Sequence, residues 1–149
     1  MKIYTDGATS KNGHDDAIGG WAFVVIDEND KIIYRGKGHA KNVTNNICEL
    51  MAVIQACSVV EGMPMLFTVY SDSAYIVNCY KQKWYRKWIN NGWVNSKKEP
   101  VANKELWQML IPFFRDERFN FEKVTGHSGD RYNEMVDRMA VEAKEECLM

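Results

Sequence analysis

At 149 residues and 46% hydrophobic, the chain suits one compact domain (1–149) with a proper core. No apolar run approaches bilayer-crossing length and Met1 to Asp6 does not read as a signal peptide, so a cytoplasmic protein with no membrane partner is expected. The net charge of −1 speaks against a uniformly basic surface, yet Lys81 to Lys104 holds seven basic residues and one acidic, a local +6 that leaves −7 on the remainder.

Such a division can hold phosphates in one place and divalent cations in another. Cys48, Cys57, Cys79 and Cys147 are scattered without close pairs or flanking histidines, which predicts buried free thiols rather than disulfides or a zinc site.

In chain order, Lys2 to Ala8, Gly20 to Ile26 and Ile32 to His39 read as three strands of a meander, the last two joined by a turn at Asp27–Asp30. From about Asn46 to Val60, apolar residues at 47, 50, 51, 54 and 57 recur at helical spacing, and Gly62 and Pro64 end the run. Met65 to Ser71 is an apolar strand. A helix is expected from Ser73 through Tyr80, extendable to Ile89, before Asn90-Asn91-Gly92 breaks it. Asn103 can cap a further helix, which Pro112 should kink or shorten. A strand at Phe119 to Thr125 precedes a polar loop and a last helix from about Asn133, with an apolar stripe of Val136, Met139, Ala140, Ala143 and Cys147. The fold class is α/β, a mixed five-stranded sheet with helices packed on it.

Four acids stand in unusual places. Asp6 lies inside the first strand, where a carboxylate is costly unless paired or bound to a cation. Asp72 ends the most apolar strand, Glu49 precedes the core-facing Leu50, and Asp137 follows Val136. Each has a plainer reading: a capping box from Asn46 to Glu49, a helix cap for Asp72, a dipole-favoured acid for Asp137. Singly, only Asp6 leans functional. Gathered at one sheet end, the four could bind two hard divalent ions about 3.5–4 Å apart, and without cations their mutual repulsion should raise some pKa values.

Five ordered blocks then carry a resemblance: Tyr4-Thr5-Asp6-Gly7-Ala8, Thr44 to Leu50, Ser71-Asp72-Ser73, Gly126-His127-Ser128-Gly129, and Asn133 with Asp137. Over nearly the whole chain these resemble the successive motifs of the type I ribonuclease H family, and the tryptophan-rich segment of about 81–104 resembles that family's basic protrusion. The resemblance implies an endonuclease that hydrolyses the RNA strand of RNA–DNA hybrids and leaves 5′-phosphate and 3′-hydroxyl ends. It assigns Asp6, Glu49, Asp72 and Asp137 to two Mg²⁺ ions, with Mn²⁺ able to substitute, Asp6 bridging both. His127 would assist proton transfer or product release, a role its accessible pKa suits. Asn12, Asn45 and Asn46 match positions that approach the minor groove, Thr44 and Asn103 align with residues gripping a DNA-strand phosphate, and Trp88 aligns with an aromatic packed on deoxyribose. Core packing competes for Trp84, Trp88 and Trp93, and is favoured for Trp84 and Trp93.

Departures from the pattern are Asp15 and Asp16, which add negative charge after the first motif, and Ala74, where many relatives carry a substrate-contacting Gln. Rival readings are a junction resolvase or proofreading exonuclease on the same fold, or a catalytically silent hybrid-binding module. The exonuclease pattern wants Asp-x-Glu where Asp6 is followed by Gly7-Ala8, and a silent module would be expected to lack one of the four acids. A start at Met1 reads as a free-standing protein, a monomer with no obligate protein partner.

Overall fold

The structure, a computed structural model, describes residues 1–124 and 130–149. Strands β1 (Lys2–Ser10), β2 (Ile18–Ile26) and β3 (Ile32–Lys41) form the expected antiparallel meander. β4 (Phe67–Ser71) and β5 (Phe119–Lys123) add parallel strands on the other side of β1, giving the order β3-β2-β1-β4-β5 with β1 central. The meander strands run further than hydrophobicity indicates, because Thr9 and Ser10 continue the ladder to Gly19 and Ile18, and those two pair with Ala40 and Lys41. Backbone pairing asks nothing of the polar side chains there. The Asp27 carboxylate accepts from the amides of Asn29 and Lys31, building the β2–β3 turn.

Among the described residues five helices accompany the sheet: α1 (Asn45–Val60), α2 (Ala74–Gln82), α3 (Trp84–Asn91), α4 (Lys104–Phe114) and α5 (Arg131–Glu146). The run after Ser73 is two helices, divided where Lys83 adopts a left-handed conformation (φ 57°). The break lets Tyr85 enter the core while Trp84 and Trp88 turn toward Tyr75 and Trp107. Asn103 precedes α4 but makes no side-chain cap bond, its backbone being left-handed as well. Nor does Pro112 stop α4, which runs to Phe114; Gln108, whose carbonyl loses its partner, lies with Pro112 on the exposed face. α5 starts earlier than its apolar stripe suggests, since Asp130 caps it by accepting from the Tyr132 amide at 2.9 Å.

Two glycines decide how closely helices approach the central strands. A Cβ on Gly7 would stand 2.9 Å from Cys48 and Glu49 of α1, and one on Gly20 would stand 2.3 Å from Lys144 and 2.4 Å from Ala140 of α5. Gly20 pairs with Ala8, the neighbour of Gly7, so α1 and α5 dock on opposite faces of the sheet. The α1 face carries the main core, with Ile3, Leu50, Val53, Phe67, Val69, Ile76, Trp107 and Leu110 all buried. The α5 face carries a smaller cluster of Tyr4, Val24, Ile26, Tyr132 and Val136. α1, held between sheet and α4, is buried over more than the expected stripe: Cys48, Glu49, Ala52, Val53 and Ala56 are also inside.

Candidate active site

β1 pairs with β4 only from Lys2 to Tyr4, while its pairing with β2 continues to Ser10. The parallel strands therefore part just before Asp6, held at the fork by the Thr5 hydroxyl, which donates to the Tyr70 carbonyl at 3.0 Å. A crevice at the carboxyl ends of parallel strands is where α/β sheets place ligands. Asp6 rises from β1, Asp72 from the end of β4, and Glu49 from the second turn of α1.

These three carboxylates offer oxygens that all lie within 4.8 Å of one another. Asp137, on α5, faces Asp6 closely enough to help raise its pKa. All four predicted acids thus come from different elements to one end of the sheet. The Gly7 amide donates to both Asp6 Oδ1 (2.9 Å) and Glu49 Oε1 (2.7 Å), tying strand and helix together. None of the plainer readings survives. Thr44 caps α1 by accepting from the Ile47 amide, Ser73 caps α2 by accepting from the Ile76 amide, and Asp137 lies nearly two turns into α5.

The electrostatics are unfavourable for carboxylates on their own. Asp6 is 7% exposed and Glu49 9%. Burial, and then the facing charge of Asp72, push both pKa values well above the ordinary carboxylate range, Glu49 the further. Glu49 Oε2 is buried with no hydrogen-bond partner among the described residues. An orphaned buried carboxylate oxygen facing two further carboxylates is expensive by itself and suits a hard divalent cation, which takes oxygen ligands.

The RNase H family model matches residues 1–145. The chain belongs to the RNase H family. It is 48% identical over 139 residues to the ribonuclease H of Syntrophomonas wolfei, covering 93% of this chain and 91% of that protein. With the ribonuclease H of Clostridium botulinum it shares 42% over 145 residues, covering 97% and 95%. Among solved structures, LC9-RNase H1, described as a type 1 RNase H with the type 2 active-site motif, aligns with TM-score 0.78 and 24% identity over 97% of this chain and 72% of that one. LC11-RNase H1 in complex with an RNA/DNA hybrid aligns at 0.72 and 24% over 99% of both. Both structures carry the same fold.

On this RNase H scaffold the other expected site residues are distributed unevenly. Asn12, Thr44 and Asn45 gather at the N-terminus of α1, where Asn12 Oδ1 accepts from the Asn45 amide at 3.1 Å. Thr44, with Gly13, His14, Asp15, Asn42 and Val43, lines a cavity of about 270 Å³ beside them. Asn46 is exposed in the first turn of α1. Trp88 is the centre of an aromatic group, 6.3 Å from Trp84, 5.9 Å from Trp93 and 5.5 Å from Trp107 between ring centroids. It also lines a 290 Å³ groove with Trp84, Lys87, Val94, Asn95 and Ser96, so packing and an open face coexist in one residue. Asp16 is paired with Lys11 at 2.7 Å, which offsets half of the extra charge expected from Asp15 and Asp16. His127 lies outside the described residues. Gly7 was missing from the expected site, although its position directly after Asp6 was the available signal. Thr9, hydrogen-bonded to Asn45, left none.

Proposed function

We propose that this chain is a metal-dependent endonuclease that hydrolyses the RNA strand of RNA–DNA hybrids, leaving 5′-phosphate and 3′-hydroxyl ends. The observation that carries the reading is the meeting of Asp6, Glu49 and Asp72 around an orphaned carboxylate oxygen, within reach of Asp137, in a chain of the RNase H family. The relatives' names and the hybrid-bound neighbour support the substrate class.

Asp6, Glu49, Asp72 and Asp137 would hold two Mg²⁺ ions, with Mn²⁺ able to substitute. Bound there, the ions supply activation of a water and stabilisation of charge on the leaving 3′-oxygen. The protein holds the acids ready: the Gly7 amide orients Asp6 and Glu49, and both side chains are buried in fixed places. His127 would handle a proton during transfer or product release. Asn12, Asn45 and Asn46 would meet the minor groove, while Thr44, Asn103 and Trp88 would hold the DNA strand. Lys83, Arg86, Lys87, Lys97 and Lys98 add the sequence-independent attraction to phosphate. The reading takes the protein to act as a cytoplasmic monomer; among the described residues no helix is long and apolar enough to cross a membrane.

The test is cleavage of one labelled RNA presented single-stranded, paired with RNA and paired with DNA, in Mg²⁺, with analysis of the product ends. Cutting confined to the hybrid, with 5′-phosphate products, is expected. Equal cutting of all three forms, or none of the hybrid, would contradict the reading.

A further inference from the structure

The ladder between β1 and β4 ends at Tyr4 and Tyr70. Carried two residues further in the same register, it would set Asp6 directly opposite Asp72, on strands about 4.7–4.9 Å apart. Two like charges facing one another across a sheet drive the strands apart. Each strand is supported on its far side and can follow that push. β1 stays paired with β2 through Ser10, and β4 is held to β5 through Ser71, whose carbonyl also accepts from the Val124 amide at 2.9 Å. Between them, at the last rung, stands the bond from the Thr5 hydroxyl to the Tyr70 carbonyl, 3.0 Å long. A carbonyl only accepts, so the hydroxyl must be the donor. Thr5 is 1% exposed, which keeps water from competing for that bond and keeps the side chain away from any substrate.

Resting on the divalent-cation site of the function proposed above, we infer that Thr5 is a positioning residue. It is a latch that keeps the fork between β1 and β4 closed against the repulsion of Asp6 and Asp72, so that the acids stand ready before an ion arrives. The end rung of a ladder frays at low cost, and opening this one would let the two carboxylates separate. An ion would then bind only the closed fraction of molecules, and its apparent affinity would fall by that fraction. One side-chain bond at the end rung shifts the balance toward the closed form. It joins the backbone one residue before Asp6 to the backbone two residues before Asp72, so it acts on the spacing of these two acids directly.

Thr5→Val removes the hydroxyl at nearly constant shape, Thr5→Ala does so should the valine variant fail to fold, and Thr5→Ser restores it. Mn²⁺ binding to each free protein is titrated through the EPR signal of the unbound ion, with thermal unfolding in chelator and hybrid cleavage in Mg²⁺ run alongside. Losing one neutral hydrogen bond should raise the Mn²⁺ dissociation constant about fivefold in the valine and alanine variants, while the serine variant binds within about twofold of wild type. The Mg²⁺ concentration that gives half-maximal cleavage should rise by the same factor. A folded valine or alanine variant with an unchanged dissociation constant, whatever its Tm, would overturn the inference while hybrid cleavage by wild type stands. So would a serine variant as impaired as they are. Wild type that binds no Mn²⁺ and leaves the hybrid intact would overturn the underlying function, and the inference with it.

Discussion

The amide of Gly7 donates to Glu49 Oε1 at 2.7 Å across a contact in which no Cβ fits between strand and helix. Close approach and hydrogen bond are one device: the missing side chain brings α1 near enough for Glu49 to reach the end of β1. Gly7→Ala should push α1 outward, destabilise the protein by about 1–3 kcal/mol through overpacking, and lower hybrid cleavage about 100-fold by displacing Glu49. Thermal unfolding and single-turnover cleavage measure the two effects. A stable, fully active variant would show that the acids tolerate movement of α1.

Glu49 is stabilising only with its counter-charge. Glu49→Gln keeps an oxygen for the Gly7 amide and removes a buried carboxyl whose ionisation is opposed by burial, Asp72 and Asp6. In chelator, the variant should unfold at a higher temperature than wild type, while hybrid cleavage falls by at least about tenfold and the rise in Tm caused by Mg²⁺ or Mn²⁺ shrinks. A variant that unfolds earlier than wild type in chelator would count against the repulsive cluster.

The same cluster sets a pH dependence. Asp6 and Glu49 have folded pKa values raised above their ordinary 3.8 and 4.5, so the folded protein keeps protons that the unfolded chain releases. Stability from these groups is therefore full below pH 4 and is lost as pH rises through the carboxylate range toward their raised values. Without divalent cations, wild type should lose Tm relative to Glu49→Gln between pH 4 and 8, and added cation should restore more Tm at pH 8 than at pH 5. A Tm difference between the two proteins that is flat with pH would contradict the raised values.

Tyr4 anchors the start of α5: its hydroxyl donates to Asp130 Oδ2 at 2.9 Å, its ring stacks on Tyr70 at 5.1 Å, and Asp130 caps the helix that carries Asp137. Tyr4→Phe keeps the ring and removes the bond. A loss of about 1 kcal/mol, or about 2–4 °C in Tm, is expected, with cleavage reduced less than by Gly7→Ala. An unchanged Tm would show that the bond contributes nothing net.

Much of this was legible in the sequence because the elements follow from local periodicity. The meander, the helix from Asn46 and the apolar strand ending at Asp72 are present at nearly the expected places. The four acids were readable as a group through ordered motifs, since singly Glu49, Asp72 and Asp137 each had an adequate local explanation and only Asp6 leaned functional. What local pattern could not supply was anything made by contact. The division of the helix at Lys83 depends on where Tyr85, Trp84 and Trp88 find partners, and continuation of α4 past Pro112 depends on that face being exposed. Glu49 resembled half of a capping box because a sequence shows the residue three positions away and hides the strand amide that binds it. The tie between Thr9, Asn12 and Asn45 spans more than 30 positions, and no spacing rule reaches it.

The most direct measurement is the cleavage of a labelled RNA–DNA hybrid by wild type and by Asp6→Asn, in Mg²⁺ and after chelation. Wild type should cut the RNA strand only with the cation present, and Asp6→Asn should fall by about a thousandfold or more while remaining folded, since one of the acids that would gather the ions has lost its charge. Cutting by the folded variant at the wild-type rate, or by wild type undiminished in chelator, would contradict a divalent-cation site built on Asp6, Glu49 and Asp72.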